Sequence, residues 1–584
     1  MSRPRVVSIV VCLLLVFGSP AHAPTRPERD PILEALGDEL ARSASGLKLA
    51  ELETPYFIEY SVADLRTLDL TASLGALVES RVDRSRPLRV DVRVGSYDLD
   101  SSEFLGRHSS SPWASWGLVQ DDDVVALRHD LWLATDSAYK KSLEQMAQKR
   151  AALRNKLQTD SIPDFARAEP RTEVRPRPAH GLDEERWAGI VKRLSAVFRE
   201  FPAIQESRVE LHAVVGSRYL VNTEGSAIRQ PITVAGLVAS AQTRAEDGMQ
   251  LAHFAPFYAR DLSALPAEPS LAAATRKMAE ELTALAAAPV LDRYVGPVLF
   301  TGSAAAEVFA QLLAPELSGQ RPPLTEDERT AARLPQGKLA ERLGRRVLPV
   351  FLSAVDDPTR TEFSGRALLG SYEFDEQGVP GQAVSLVEKG MLRSFVLSRR
   401  PRKEIAASNG HGRASAYGAP SAEIANLILE ARPGRTSSDL RRQLLEICAA
   451  QGMEYGLRIE LLDLPFLSGR EDLRGRGQDT LTPPVLAYRV FVADGREELV
   501  RGLATSDADV RALREIVAAG DEPTVWSRPY LGRGATISAT GPIGTESLAI
   551  TVAAPAVLFE ELELKRAPGP LTRPALLANP AFLD

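Results

Sequence analysis

Two adjoining stretches, SRVELHAVVGSRYLVNTEG and SAIRQPITVAGLVASAQT over residues 207–243, alternate apolar and polar side chains at period two. Successive side chains of a strand point to opposite faces, so alternation this long demands a sheet with one covered face. Asn222 and Gly225 at the junction are turn formers, which predicts antiparallel pairing of the two strands. The same alternation runs through SLGALVESRVDRSRPLRVDVRVGSYDLD, residues 73–100, after a strand-like TPYFIEYSVAD. Helical spacing marks residues 31–49, 130–156 and GLDEERWAGIVKRLSAVFREF, and also SLAAATRKMAEELTALAAAP, read as a connector to the last domain. Beyond residue 290, the strand GPVLFTG and the helix SAAAEVFAQLLAP lead into mostly strands and long loops. VLAYRVFVADGREELVRGL forms a hairpin turning at Asp494-Gly495, and SLAITVAAPAVLFEELELKR reads as two strands split by Pro555. The fold class is α+β and multidomain, with N-terminal α/β units before a sheet-rich C-terminal domain.

A chain of 584 residues exceeds one hydrophobic core, and the usual domain size gives about three or four units. The boundaries expected are 24–128 for a first α/β unit, 129–289 for a middle helix and strand unit, 290–566 for the C-terminal domain and 567–584 for a tail. DFARAEPRTEVRPRPAHG, within residues 163–181, has the proline-rich composition of a linker or exposed loop. At the N-terminus Arg3 and Arg5 precede an apolar run over residues 6–17 and then Ala21-His22-Ala23. This is the pattern of a signal peptide cleaved after residue 23, and the run is too short for a membrane span. Export to the periplasm or outside the cell is the expectation, with no stable membrane insertion afterwards. Cys448 is then the only cysteine, so no internal disulfide forms. Its helical neighbours Leu440, Leu444 and Ile447 place it as a buried structural thiol. With 77 acidic against 70 basic residues and no basic block, nucleic acid is not an expected ligand.

The six histidines after the signal are His108, His129, His180, His212, His253 and His411. No two stand three to five residues apart, so no single helix offers two imidazoles to zinc. There is no G-x-S-x-G elbow, and GRGQ and GRGA lack the surroundings of a phosphate loop. The acidic runs Asp121-Asp122-Asp123 and VDDPTR read as turns. SNGHGRASAYG, residues 408–418, concentrates glycines with His411 and Arg413 in one loop. A guanidinium beside glycine backbone suits a peptide carboxylate or carbonyl, so Arg413 and then His411 are the substrate-binding candidates, with a structural loop arginine as the alternative.

From GPVLFTGSAAAEVFAQLLAPELSGQRPPL through RLGRRVLPVFLSAVDDPTR and LLGSYEFDEQGVPGQAVSLVEKGMLRSFVLSRRP to SNGHGRASAYGAPSAEIANLILEA, the chain resembles the C-terminal domain of the TldD/TldE family. That family is also called PmbA or modulator of DNA gyrase. The resemblance is specific over residues 296–427, and APAVLFEELELKR agrees with it. It implies a metallopeptidase scaffold in which a zinc-bearing TldD subunit pairs with a zinc-free TldE subunit around a cavity that receives unfolded peptides. Catalytic members carry H-E-x-x-x-H on the helix after the opening strand, and the matching place here is Ala306-Glu307-Val308-Phe309-Ala310-Gln311.

Ala306 and Gln311 stand where the histidines would be, and the family's cysteine ligand has no counterpart between Gly532 and Gly544. The resemblance is therefore to the zinc-free TldE side, with no metal ligand and no cofactor carried over. Glu307 occupies the general-base position, with an exposed helical glutamate as the bland alternative. The implied role is a non-catalytic exported member that forms a homodimer, or a heterodimer with a TldD-like zinc peptidase, and shapes a peptide-binding cavity. The alternatives are an active hydrolase with a metal held by His411 and distant carboxylates, and a pure assembly module.

Overall fold

The computed structural model describes residues 29–582 except 50–51, 107–113, 155–161, 179–180, 335–336, 417, 465–466, 468–480, 506–507, 531–546, 568–570, 573–574, 576 and 578. The signal segment, both arginine-glycine loops and the stretch expected to lack the cysteine ligand lie outside the described residues.

The period-two stretches form long antiparallel strands, Glu206–Asn222 and Ala227–Arg244, turning at Gly225 with φ +102°. They belong to an eight-stranded sheet in which Pro55–Ser73 lies directly beside Glu206–Asn222. Segments 24–128 and 129–289, expected as separate units, thus share one sheet. A 19-residue strand left at an edge would expose its row of N–H and C=O groups, and this pairing covers them. Helices cover one face. Pro31–Gly46 and Val124–Arg154 pack over one half, Glu184–Ala196 and Glu268–Ala287 over the other. The last of these, expected as a connector, buries Leu271, Met278, Ala279, Leu282 and Leu285 in the core.

The sheet's other face meets the C-terminal domain. Leu220 and Ile228 pack on Phe374, and Ala63, Leu65, Val214 and Val234 pack near Ala416 and Ala549. This contact explains why Pro87–Val94 is buried along its whole length, although its alternation predicts one wet face. Arg89, Asp91 and Arg93 lie inside, where Arg93 pairs with Asp91 and Asp100, and Arg89 reaches Glu59 and the Glu376 carbonyl. Buried charges persist only when paired in this way.

Of the segment expected as a linker or exposed loop, residues 163–178 form a strap held between the two parts. Phe165 is buried with the guanidiniums of Arg93 and Arg399 over its ring, 3.7 and 4.0 Å from the centroid, and Thr172–Val174 adds a parallel strand to Ala227–Arg244. Its prolines remove few ladder bonds because the added strand is only three residues long.

Glu59 in this layer gives a pH-dependent prediction. Burial pushes its carboxyl from the ordinary 4.5 up to about 7, with Arg89 and Arg399 opposing the shift and Asp91 reinforcing it. The folded chain therefore binds a proton that the unfolded chain releases. The stability this contributes is fully present below about pH 4.5 and is lost as pH rises through about 7. Glu59→Gln removes the linkage, so the stability of E59Q relative to wild type should rise by roughly 3 kcal/mol between pH 4.5 and 8. Urea denaturation across that range checks it, and a pH-independent difference would refute it.

Among the described residues the C-terminal domain is built on an eleven-stranded mixed sheet. Its central strand, Leu548–Arg566, is continuous through Pro555 rather than split there. On one side it pairs with Asn426–Ala431 at Thr551 to Ala553 and then with Arg293–Phe300 from Val557 onward. Pro555 falls between the two partners on that side and faces Pro523 on the other, where the register slips. The missing N–H of Pro555 costs no ladder bond there. The Asp494-Gly495 hairpin forms as expected, joining Pro484–Phe491 to Glu497–Val500. Helix Ser437–Ala450 buries Leu440, Leu444 and Cys448 against the sheet. Burial pushes the Cys448 thiol up to about 11, so it is no nucleophile near neutral pH. Among the described residues no helix is long and apolar enough to cross a membrane.

Candidate functional site

The strand Arg293–Phe300 ends in Thr301 and Gly302, whose φ of +55° makes the sharp turn into helix Gly302–Leu312. The helix carries Ala304, Ala305, Ala306, Val308, Phe309 and Leu312, all buried. Burial of Val308, Phe309 and Leu312 stabilises by roughly 1.5–3 kcal/mol each. Glu307 and Gln311, four residues apart, share one face of it.

Glu307 is not an exposed helical glutamate; it is fully buried. Its Oε1 accepts from Trp526 Nε1 at 2.6 Å, and its Oε2 accepts from Gln311 Nε2 at 2.9 Å and from the Arg528 guanidinium. Gln311 is committed further, donating to Thr482 Oγ1 at 3.1 Å and accepting from the Thr482 N–H at 2.9 Å. Burial pushes the nearby Tyr258 phenol up, with Arg528 opposing and Glu210 and Glu307 adding to the rise. The pair thus faces the N-terminal sheet, since Tyr258 lies on its strand Gln250–Ala259.

This donor set does not fit zinc. Ala306 offers a methyl group, the Gln311 amide is already spoken for, and the Glu307 carboxylate is neutralised by a guanidinium. Among the described residues no three His, Cys, Asp or Glu side chains gather as a metal site. His212 meets Asp69 and His253 meets Glu281, each as a single pair.

The loop 408–418 folds inward. Gly410 has φ +73°, and a Cβ there would lie 2.1 Å from the Pro380 carbonyl oxygen, so only glycine fits. His411 is fully buried, its Nδ1 against Asn409 and its Nε2 3.2 Å from Asp356 Oδ1. Asp356, expected in a turn, ends the buried strand Leu352–Asp356 because its carboxylate accepts from the N–H groups of Ala425 and Asn426. His411 is therefore a packed loop histidine facing one committed carboxylate, and it does not reach a ligand surface. The turn expected in VDDPTR begins at Asp357, whose Oδ1 accepts from the Thr359 N–H at 3.0 Å.

Arg413 is also buried, yet it lines a cleft of about 450 Å³ between the N-terminal sheet and the C-terminal domain. It donates to the carbonyls of Ile424 and Ala549 and lies over the Tyr372 ring, 5.1 Å from its centroid. The structure thus separates the two residues singled out in the loop. Arg413 borders open space and His411 does not. The partners Trp526 and Arg528 of Glu307, and the cleft residues Arg175, Arg218 and Arg260, had no local sequence signal, because each meets its site across the fold.

Residues 293–462 match the family described as the PmbA/TldA metallopeptidase C-terminal domain. Over these residues the C-terminal domain is similar to that metallopeptidase domain. A metalloprotease from Archaeoglobus fulgidus is 30% identical over 92 residues, covering 16% of this chain and 20% of the relative. A metalloprotease from Methanocaldococcus jannaschii is 30% identical over 107 residues, covering 18% and 22%. The chain thus spans about a fifth of the length of these curated relatives. The α+β fold is similar over far more of the molecule. TldE from Thermococcus kodakarensis superposes with TM-score 0.55 at 15% identity, covering 87% of this chain and 96% of that one. A putative modulator of a DNA gyrase from Thermotoga maritima gives TM-score 0.54 at 16% identity, over 87% and 96%.

Proposed function

We propose that this TldD/TldE-type protein is a zinc-free member that shapes a peptide-binding cavity and pairs, with itself or with a zinc-bearing peptidase subunit, in proteolysis. The observation that carries the reading is the Glu307–Arg528 ion pair at the place of the family's H-E-x-x-x-H. A general base must be free to take a proton from water, and a buried carboxylate held by a guanidinium, an indole N–H and an amide is not. On this reading the position that bears the general base in catalytic members is structural here, and the strand and helix around it support it.

Metal analysis of the purified mature chain should find no stoichiometric zinc, and neither added zinc nor a chelator should move its thermal midpoint. Mixing with a partner that bears H-E-x-x-x-H should create peptidase activity that this chain alone lacks. Chelator-sensitive activity from the chain by itself would overturn the reading. Export is proposed from the N-terminal pattern, and a reporter fused to residues 1–23 that stays inside the cell would refute it.

A further inference from the structure

The cleft beside Arg413 carries more positive charge than its walls neutralise. Among the described residues four guanidiniums line it, those of Arg175, Arg218, Arg260 and Arg413, against the two carboxylates of Glu373 and Glu376. Both carboxylates are taken: Arg175 holds Glu373 in a fork at 2.7 and 3.1 Å, and Arg218 pairs with Glu376. Among the described residues neither Arg260 nor Arg413 has a carboxylate partner. Arg260 donates to the Leu368 carbonyl and the Ser371 hydroxyl, and burial lowers its pKa.

Two polar groups in the same walls are buried and unused. Arg413 is 6% exposed and its Nε–H has no hydrogen-bond partner, although both terminal nitrogens are engaged. Ser547 is 1% exposed and its hydroxyl likewise has no partner among the described residues. A buried donor left unmade is costly, but both of these atoms are sealed behind the cleft surface, and the donors that face the cleft are those that Arg260, half-buried, does not spend on Leu368 and Ser371. The remaining walls include Leu369, Leu548 and Val234, which suit an apolar side chain next to that acceptor.

We infer that this cleft binds the C-terminal carboxylate of a peptide, with Arg260 as its donor, the charge of Arg413 beside it and the apolar wall receiving the last side chain. The inference rests on the peptide-binding half of the function proposed above and is independent of the zinc question. A carboxylate answers the uncompensated charge, whereas a backbone carbonyl within a peptide would leave it unanswered.

The test is calorimetric titration of the full chain with N-acetyl-trialanine, its C-terminal amide and inorganic phosphate. The free acid should bind about tenfold or more tightly than the amide, as expected for charge-assisted hydrogen bonds, and the difference should shrink with added salt. Arg413→Gln should abolish the preference, but Arg413 also braces two backbone segments. Arg260→Gln is therefore the companion variant, expected to keep the thermal midpoint near wild type and to lose most of the preference. Equal binding of acid and amide would overturn the carboxylate site and leave peptide binding standing. Binding of neither would remove both, and binding of phosphate alone would replace the peptide site with an inorganic anion site.

Discussion

Arg528→Met is expected to destabilise the protein by about 3–5 kcal/mol, the cost of removing one partner from a buried ion pair. Glu307 is fully buried, and without the guanidinium its carboxylate keeps only the neutral donors Trp526 Nε1 and Gln311 Nε2. Arg528 is the more exposed partner, at 13% of its side chain, so Glu307→Gln alone should cost less than Arg528→Met. The double variant E307Q/R528M should recover most of the loss, since a glutamine still accepts from Trp526 and buries no charge. Urea denaturation of the four proteins closes a double-mutant cycle whose coupling term belongs to the pair. If R528M costs under about 1 kcal/mol, the guanidinium does not neutralise Glu307, and the physical case for a structural rather than a catalytic position falls with it.

That network shows where the sequence runs out. Ala306 and Gln311 are legible as missing ligands because they lie on one short helix at fixed spacing. The replacement for those ligands is not legible, because Trp526 and Arg528 are 219 and 221 residues from Glu307. The alternation over residues 207–243 yields the correct strands, turn and pairing because its period is local. It misleads on Pro87–Val94, where a second layer covers the polar face and the charges there are satisfied by residues distant in the chain. The segment 163–181 misleads for a related reason. Its composition is that of a linker, and its order comes from Phe165 and Ala166 docking onto residues on both sides. In SNGHGRASAYG the glycines mark a tight turn, and Gly410 makes one. The different fates of His411 and Arg413 depend on Asp356 and on the cleft, neither of which a linear reading places.

Arg399→Met should be nearly as damaging, at about 3–5 kcal/mol, for a reason that involves all three parts of the fold. The Arg399 side chain is fully buried. It donates from Nε and Nη2 to the Ala166 carbonyl at 2.9 and 2.7 Å, and from Nη2 to Glu224 at 2.7 Å. Ala166 belongs to the strap, Glu224 to the turn between the two long strands of the N-terminal sheet, and Arg399 to the C-terminal domain. One guanidinium therefore ties together segments that the chain brings in separately. Its place over the Phe165 ring, 4.0 Å from the centroid, adds cation–π attraction worth roughly 2 kcal/mol where water is excluded. Arg399→Lys keeps the charge but not the planar fork. It should restore the Glu224 pair while losing the two-pronged hydrogen bonding to the Ala166 carbonyl, so its cost should fall between wild type and R399M. Hydrogen exchange separates this account from a general loss of packing. In R399M the amides of Phe165 and Ala166, which donate to the carbonyls of Tyr97 and Arg399, should exchange faster at low denaturant, while those of the paired strands Glu206–Asn222 and Ala227–Arg244 should follow only global unfolding. Uniform acceleration across the N-terminal sheet would mean that Arg399 supports the sheet itself rather than clamping the strap between two domains.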